Sequence, residues 1–574
     1  MRLRRLKIER FRGILALDWQ NIGDTAALVG PGDSGKSTIL DAIERVLSPR
    51  WNVGFDDADF WNLDTSQPIS IRATLTDLPP EFLKESKFGH AMHGFDVERG
   101  IEIAPEGTDG EALALVVELR VEATLEPVWN VVDSEGREQP IHAKDRERLG
   151  LLRVGGYVDN HLAWSRGSTL SRLTSGSDSL SGVLAGVTRK ARAGLKKDSL
   201  KPLEETAAKV EALAKDVGVK PTSSFCPHLD INSMTVSAGA LSLHDGDVPL
   251  RRSGLGTRRL LAVAMQREAA SQHGLTLIDE FEHGLEPNRI RRLLRILRGK
   301  PPEQTHAAGQ LLLTTHSPTV LSELEIGEVF VVKRGPDGGV EVASLPKEVE
   351  YVLPRVPEAL LARKIIVCEG ETEEGLCIAL DNKWGSEGRP SFAYQGVAAV
   401  DGGGGDQPAT LAGKLVQLGY TVALFIDSDA KAKASRAQGA TLLEWEGGTC
   451  TEQRLALDLP QKALREMVAL ATRSPKSKGL RSVRDSFAAA LQIETKILGE
   501  EPASWLEEAQ AVGVDEARFR TEFGNTAKKK AKAWFKTRAV GEELGALVAG
   551  CEAELESTST GTVLRDLGSF AHDD

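Results

Sequence analysis

The run Gly30-Pro31-Gly32-Asp33-Ser34-Gly35-Lys36-Ser37, followed by Thr38, constrains this chain more than any other feature. It fits G-x-x-x-x-G-K-[ST] and has the flanks that give that pattern meaning. Upstream, Thr25 to Val29 reads as a strand. Downstream, Ile39, Leu40, Ile43, Val46 and Leu47 recur at helical spacing and predict a helix over Ser37 to Leu47. A glycine-rich loop between strand and helix cradles phosphates on backbone N–H groups, with Lys36 reaching the β and γ oxygens and the Ser37 hydroxyl ligating Mg²⁺. The lobe around it is expected to be α/β with added β-structure.

At 574 residues, with 41% hydrophobic content, the chain calls for several domains. The start, Met1 to Ile14, alternates apolar residues with arginines and Lys7 and lacks the apolar core of a signal peptide. No apolar run approaches the roughly 18 residues of a membrane span. A cytoplasmic protein with no membrane role is therefore expected. The five cysteines are scattered without a Cys-x-x-Cys pair, which disfavours structural zinc and a disulfide framework. A net charge of -12 argues against a histone-like coating of nucleic acid, but leaves room for local basic patches.

Further strands are predicted at Arg2 to Glu9, Leu15 to Trp19, Ile69 to Leu78 and within Ala112 to Val121. From about Ser177 to Val219 the texture turns helical, and Leu203, Val210, Leu213 and Val217 share one face. The segment is either a surface helical hairpin or a dimerisation arm inserted into the first lobe. A helix over Arg258 to Ala270, a strand at Leu275 to Ile278, a helix over Pro287 to Leu297 and a strand at Gln310 to Thr314 follow. A hairpin over Val329 to Ser344 turns at Pro336-Asp337-Gly338-Gly339, and Tyr351 to Pro357 reads as a linker. The main boundary is placed near 350, giving domains 1–350 and 351–574. The second opens with a strand at Lys364 to Val367 and ends in a helical, charge-rich tail.

Three further motifs accompany the phosphate loop. The strand Leu275 to Ile278 ends in Asp279, suited to holding Mg²⁺ through water, and Glu280, suited to orienting an attacking water. His316 lies just beyond the next apolar strand, where it could sense a γ-phosphate. Ser253-Gly254-Leu255-Gly256-Thr257 precedes Arg258 and Arg259. This order resembles ABC-type ATPases, and Phe11-Arg12-Gly13 with Glu282 to Pro287 resembles the RecF, Rad50 and SMC branch. The resemblance implies ATP contacts from Arg12, Gly30, Gly32, Asp33, Ser34, Gly35, Lys36, Ser37, Thr38, Asp279, Glu280 and His316. It also implies two heads that sandwich ATP, each lending Ser253 and Gly254 to the other. A Q-loop is not identified; the acidic stretch Asp56-Asp57-Ala58-Asp59 lies near its place.

A second constellation follows. The apolar strand Ile365 to Cys368 runs into Glu369, with Glu373 soon after, and Val422 to Ile426 runs into Asp427-Ser428-Asp429. Ligand sites in open α/β sheets lie at carboxyl ends of strands, and several acids in one cleft call for divalent cations. Between them, Asp401-Gly402-Gly403-Gly404-Gly405-Asp406 is either a turn admitting a DNA backbone or a simple loop. Later, Lys528 to Arg538 carries six basic residues, Trp534 and Phe535, and no acid. Such a segment is either a solvated face or a phosphate contact that places one lysine at the reacting phosphate.

The acids resemble the Toprim domain over about residues 362–460, with Glu452 where the nuclease subset carries a further metal carboxylate. Trp534-Phe535-Lys536 resembles a lysine motif of class 2 OLD nucleases (overcoming lysogenization defect), a class that includes the nuclease subunit of the Gabija anti-phage system. By that resemblance the chain is an ABC-type ATPase head with an inserted helical dimerisation segment, followed by Toprim and a helical C-terminal addition. The implied activity is nucleotide-regulated DNA endonuclease cleavage, nicking or double-strand. Two Mg²⁺ or Mn²⁺ ions would be held by Glu369, Glu373, Asp427, Asp429 and Glu452, one activating water and one stabilising the leaving 3′ oxygen, with Lys536 supporting the transition state. A third ion would accompany ATP at Ser37 and Asp279. Implied partners are DNA, a second copy or more of the chain, and a UvrD-like helicase. The rival readings are a topoisomerase, a primase and a non-catalytic, ATP-gated DNA-repair scaffold. The first lacks a tyrosine in a suitable context and the second lacks zinc cysteines.

Overall fold

The computed structural model describes residues 1–573 except 104–111, 155–160, 165–167, 175–185, 187–189, 191–200, 217–219, 221, 226–240, 270–273, 299–308, 351–353, 355–356, 429–434 and 530–533. Among the described residues, strands form an eight-stranded, a six-stranded and a four-stranded sheet and a small two-stranded ribbon.

The six-stranded sheet runs Leu151–Val154, Leu275–Ile278, Gln310–Thr314, Thr25–Val29, Val329–Arg334, Val340–Ser344. All neighbours are parallel except the last pair, the expected hairpin. Its strands are short and apolar because both faces are covered. The helix Lys36–Val46 fills the space against the antiparallel eight-stranded sheet, burying Ile39, Leu40, Ala42, Ile43 and Val46. Arg2–Phe11 pairs there with both Ile14–Trp19 and Ile69–Thr76. The predicted strands and helices of this lobe fall within a few residues of those observed; the helix after the phosphate loop begins at Lys36, one residue early.

Of the expected helical segment 177–219, the helix Lys201–Asp216 is described, with Leu203, Val210 and Leu213 exposed; Val217 lies outside the described residues. The linker expected over 351–357 also lies mostly outside them.

The four-stranded sheet is parallel throughout, ordered Val397–Asp401, Lys364–Cys368, Thr421–Ile426, Thr441–Glu444. Its two central strands are almost wholly buried. One core cluster is continuous from Ala27, Val29, Ile278 and Leu313 to Ile365, Val367, Val422 and Ile426, so the two parallel sheets share apolar packing. On the far face, the helix Glu371–Ser386 lies against the helix Arg538–Gly550 at very close range. A Cβ at Gly375 would fall 2.6 Å from Glu542 N, and one at Gly545 would fall 2.7 Å from Ala379 Cβ, so only glycine allows this approach. No helix among the described residues is long and apolar enough to cross a membrane.

Candidate functional sites

The phosphate loop follows the strand Thr25–Val29, and its geometry depends on two glycines. Gly30 takes φ 134° with the Val332 carbonyl where a Cβ would be, and Gly35 takes φ 99° at the helix start. The loop, with Gly13, His316 and Arg334, lines a cleft of about 370 Å³. Lys36 Nζ donates to the carbonyls of Gly30 (3.0 Å) and Pro31 (2.7 Å). Burial holds its pKa below the usual lysine range, although Asp33 and Asp279 oppose that. Such a buried ammonium, held on backbone carbonyls inside a phosphate-shaped cleft, fits a nucleotide's anionic tail.

Neighbouring strand ends meet this loop. The Ser37 hydroxyl donates to Asp279 Oδ1 at 3.1 Å, and Thr314 Oγ1 donates to the same oxygen at 2.6 Å. The pair Ser37 and Asp279 thus fits an Mg²⁺ ion accompanying phosphates. His316 lines the cleft, and its backbone N–H donates to Glu282 at 2.7 Å; burial and Lys36 push its pKa down. Two residues expected at this cleft lie elsewhere. Glu280, at φ 46°, is turned toward His283 Nδ1 at 3.1 Å. The Arg12 guanidinium, outside the cleft lining, lies between Asp41 (2.6 Å) and Asp59 (2.8 Å). The acidic stretch near the Q-loop position is therefore an anchor for Arg12. Ser253, expected with Gly254 at the nucleotide of a second head, donates to the Leu250 carbonyl, and neither residue lines this cleft. Sequence reading missed Arg153, which donates to Asp41 at 3.0 Å and Asp279 at 3.3 Å. An arginine on an edge strand has no motif to mark it.

The second site forms where the two central strands of the parallel sheet end. Glu369 follows Cys368, and its Oε2 accepts the Asp427 backbone N–H at 2.7 Å across the sheet. Glu373, in the first turn of the next helix, accepts the Gly370 N–H at 3.0 Å and the Thr451 hydroxyl at 2.5 Å. Asp427 accepts the Thr451 backbone N–H at 2.9 Å. Lys536 Nζ sits 2.8 Å from Glu452 Oε1, and both Glu452 oxygens are buried. Glu369, Glu373, Asp427, Glu452 and Lys536, drawn from distant parts of the chain, thus form one cluster. Asp429 lies outside the described residues.

Glu373, Thr451 and Glu452 are fully or nearly fully buried. Burial, opposed by Lys536 and reinforced by Glu452, pushes the Glu373 carboxyl up to about 7. Burial together with the charges of Glu373, Glu369 and Glu452 pushes Asp427 up to about 8. At Lys536 burial works against the charge, but Glu452 and Glu373 outweigh it and raise its pKa. One lysine cannot neutralise this many acids, and both Glu452 oxygens are buried, so the donor set fits divalent cations. Among the described residues no three acids, histidines or cysteines are already arranged as a metal cage.

Thr451, which sequence reading passed over, ties Glu373 to Asp427. The glycine turn docks on the same strand end: Gly402 and Gly404 N–H groups donate to the Cys368 and Glu369 carbonyls, both at 2.9 Å. Trp534 and Phe535, beside Lys536, are fully buried against Phe523. They anchor the lysine segment in the core and are not available to stack on bases.

Two family models match the chain: a P-loop containing region of an AAA domain over residues 9–59, and an AAA domain described for an AbiEii toxin of a type IV TA system over residues 132–322. A curated relative, the OLD nuclease of Thermus scotoductus, is 25% identical over 418 residues, spanning 66% of this chain and 74% of the relative. Similar solved structures include an SmcHead bound to the C-winged helix domain of ScpA and an SMC head domain from Thermotoga maritima. The first has 16% identity, covers 61% of this chain and 98% of its own, and gives a TM-score of 0.33; the second has 15%, 60%, 100% and 0.29. Over about two thirds of its length the chain is thus similar to an OLD nuclease, and it carries a P-loop ATPase domain.

Proposed function

We propose that this protein is an ATP-binding, divalent-metal-dependent DNA endonuclease whose cleavage site is the cluster of Glu369, Glu373, Asp427, Glu452 and Lys536. The observation that carries the reading is the convergence of Glu369 with the buried Glu373, Asp427 and Glu452 around the ends of two adjacent parallel strands, with Lys536 beside them. Mg²⁺ or Mn²⁺ bound there would supply an activated water and neutralise developing charge. Glu369, Glu373, Asp427 and Glu452, with Asp429, would hold a pair of ions, as in Toprim nucleases. Thr451 keeps Glu373 and Asp427 in register. Lys536, fixed on buried Trp534 and Phe535, stabilises the negative charge that builds on the phosphate during hydrolysis.

The ATP site supports a regulatory role, because its sheet and the carboxylate-bearing sheet share one core. Division into an ATPase part to about residue 350 and a Toprim part with a helical C-terminal region belongs to this reading. So do class 2 membership, self-association through the helical segment, paired heads that lend Ser253 and Gly254 to each other, a UvrD-like helicase partner and a place in anti-phage defence.

The 2.8 Å ion pair between Lys536 and Glu452 favours a second reading, an ATP-gated DNA-binding scaffold in which the lysine serves only to neutralise the acids. Calorimetric titration of Mn²⁺ separates the two. A nuclease binds the ion, and Asp427→Ala loses both the ion and plasmid nicking; a scaffold shows no ion uptake that depends on Asp427.

A further inference from the structure

Beside the carboxylate cluster lies a basic loop that the proposed chemistry leaves unused. From Arg473 to Arg484 the chain carries Arg473, Lys476, Lys478, Arg481 and Arg484 and no acid, in a protein of net charge -12. The loop joins the helix Gln461–Arg473 to the helix Leu480–Leu491. Arg473, Lys476, Lys478 and Arg481 are exposed, Arg481 lying 3.9 Å from Asp485 on its own helix, whereas Arg484 turns back onto Glu500 at 2.6 Å. The loop is held from within: the buried Ser477 donates its hydroxyl to the Ser474 carbonyl at 2.8 Å and accepts the Gly479 N–H at 3.1 Å. Lys478 takes φ 62°, a left-handed conformation that costs a lysine free energy and persists only where the surroundings impose it.

The loop is also joined to the site. Lys476 Nζ donates to the backbone carbonyl of Lys536, the residue whose ammonium reaches Glu452. A phosphodiester lying at Lys536 would therefore lie close to Lys476 and to the exposed cations that continue from it along the chain.

We propose that residues 473–481 form a clamp for the phosphate backbone of duplex DNA, holding the strand as it leaves the carboxylate cluster. The choice of DNA as the polyanion rests on the nuclease reading above. The preference for a duplex over a single strand comes from the loop itself. It has no aromatic side chain on which unpaired bases could stack. Its cations suit sequence-independent contacts to phosphates, which position a duplex without reading it.

The test is fluorescence anisotropy of a short labelled duplex with the full chain in EDTA, over a series of KCl concentrations. The variant is Lys478→Asn with Arg481→Gln, because asparagine tolerates the left-handed backbone. Arg99→Ala, on the N-terminal lobe, serves as control. The double variant should bind more weakly, with the log–log salt slope reduced by about 2, one contact for each cation removed; Arg99→Ala should match the native chain. Unchanged affinity and slope in a folded double variant overturn the clamp, as does failure of the native chain to bind the duplex. Metal-dependent plasmid nicking by the native chain, run alongside, keeps the two ideas apart. Nicking with unaltered duplex binding by the double variant sinks the clamp alone. A reduced slope without any nicking upholds the clamp and sinks the nuclease.

Discussion

Thr451 makes the carboxylate cluster one unit, because its hydroxyl reaches Glu373 while its backbone N–H reaches Asp427. Replacing it by valine keeps the shape and removes the hydroxyl. By the usual effect of losing such a supporting contact, Thr451→Val should lower metal affinity or cleavage by about 10–100-fold, and Thr451→Ser should restore most of it. Mn²⁺ titration and nicking rates check this. The raised pKa values also predict how the metal-free protein responds to pH. Between the ordinary values of 4.5 and 3.8 and the folded values of about 7 and about 8, the folded chain holds protons on Glu373 and Asp427 that the unfolded chain has released. Stability therefore falls as pH rises through that window. Lys536 stays charged in both states there and does not reverse the sign. Thermal melts in EDTA should show a lower midpoint at pH 8 than at pH 5, and Mg²⁺ should narrow the gap by stabilising the ionised acids.

At the level of elements, the site depends on the helix pair Glu371–Ser386 and Arg538–Gly550, which carries Glu373 on one member and follows Lys536 with the other. Because Gly541 leaves no room for a side chain, with Thr372 O 2.6 Å from where a Cβ would lie, Gly541→Leu should force the helices apart. Cleavage should fall with Lys536 displaced, and the thermal midpoint should drop as well. Trp534→Ala should cost about 3–5 kcal/mol through the cavity left beside Phe523, measured by denaturant unfolding. Most elements were legible in the sequence because their signals are local. The strand at Gln310–Thr314 is a short apolar run, and the hairpin announces its turn. Glu369 and Asp427 were legible because each ends such a strand. Tertiary partners were not. Trp534 and Phe535, set among lysines, look like surface until Phe523 of the helix Glu516–Ala527 packs against them, and Thr451 carries no charge to mark it. Arg12 matched a motif, yet Asp41 and Asp59, far off in sequence, decide where its guanidinium lies.

Across the whole molecule, the nucleotide cleft and the carboxylate cluster are separate sites on sheets joined by one apolar core. The end of the Lys333 side chain also occupies the space where a Cβ of Gly419 would lie; Lys333 adjoins Arg334 of the cleft lining, and Gly419 lies just before the strand Thr421–Ile426 that runs into Asp427. Nucleotide binding and cleavage should therefore be separable by mutation yet coupled in the native chain. Lys36→Ala should abolish binding of labelled ATP while leaving the thermal midpoint nearly unchanged, since its ammonium donates within the loop itself, to the Gly30 and Pro31 carbonyls and the Ser34 hydroxyl. The most direct measurement is cleavage of supercoiled plasmid with Mg²⁺ or Mn²⁺, with and without ATP, by the native chain, Asp427→Ala and Lys36→Ala. Metal-dependent cleavage should vanish in Asp427→Ala, persist in Lys36→Ala, and respond to ATP only in the native chain. Cleavage that survives in Asp427→Ala would contradict the proposed cleavage site.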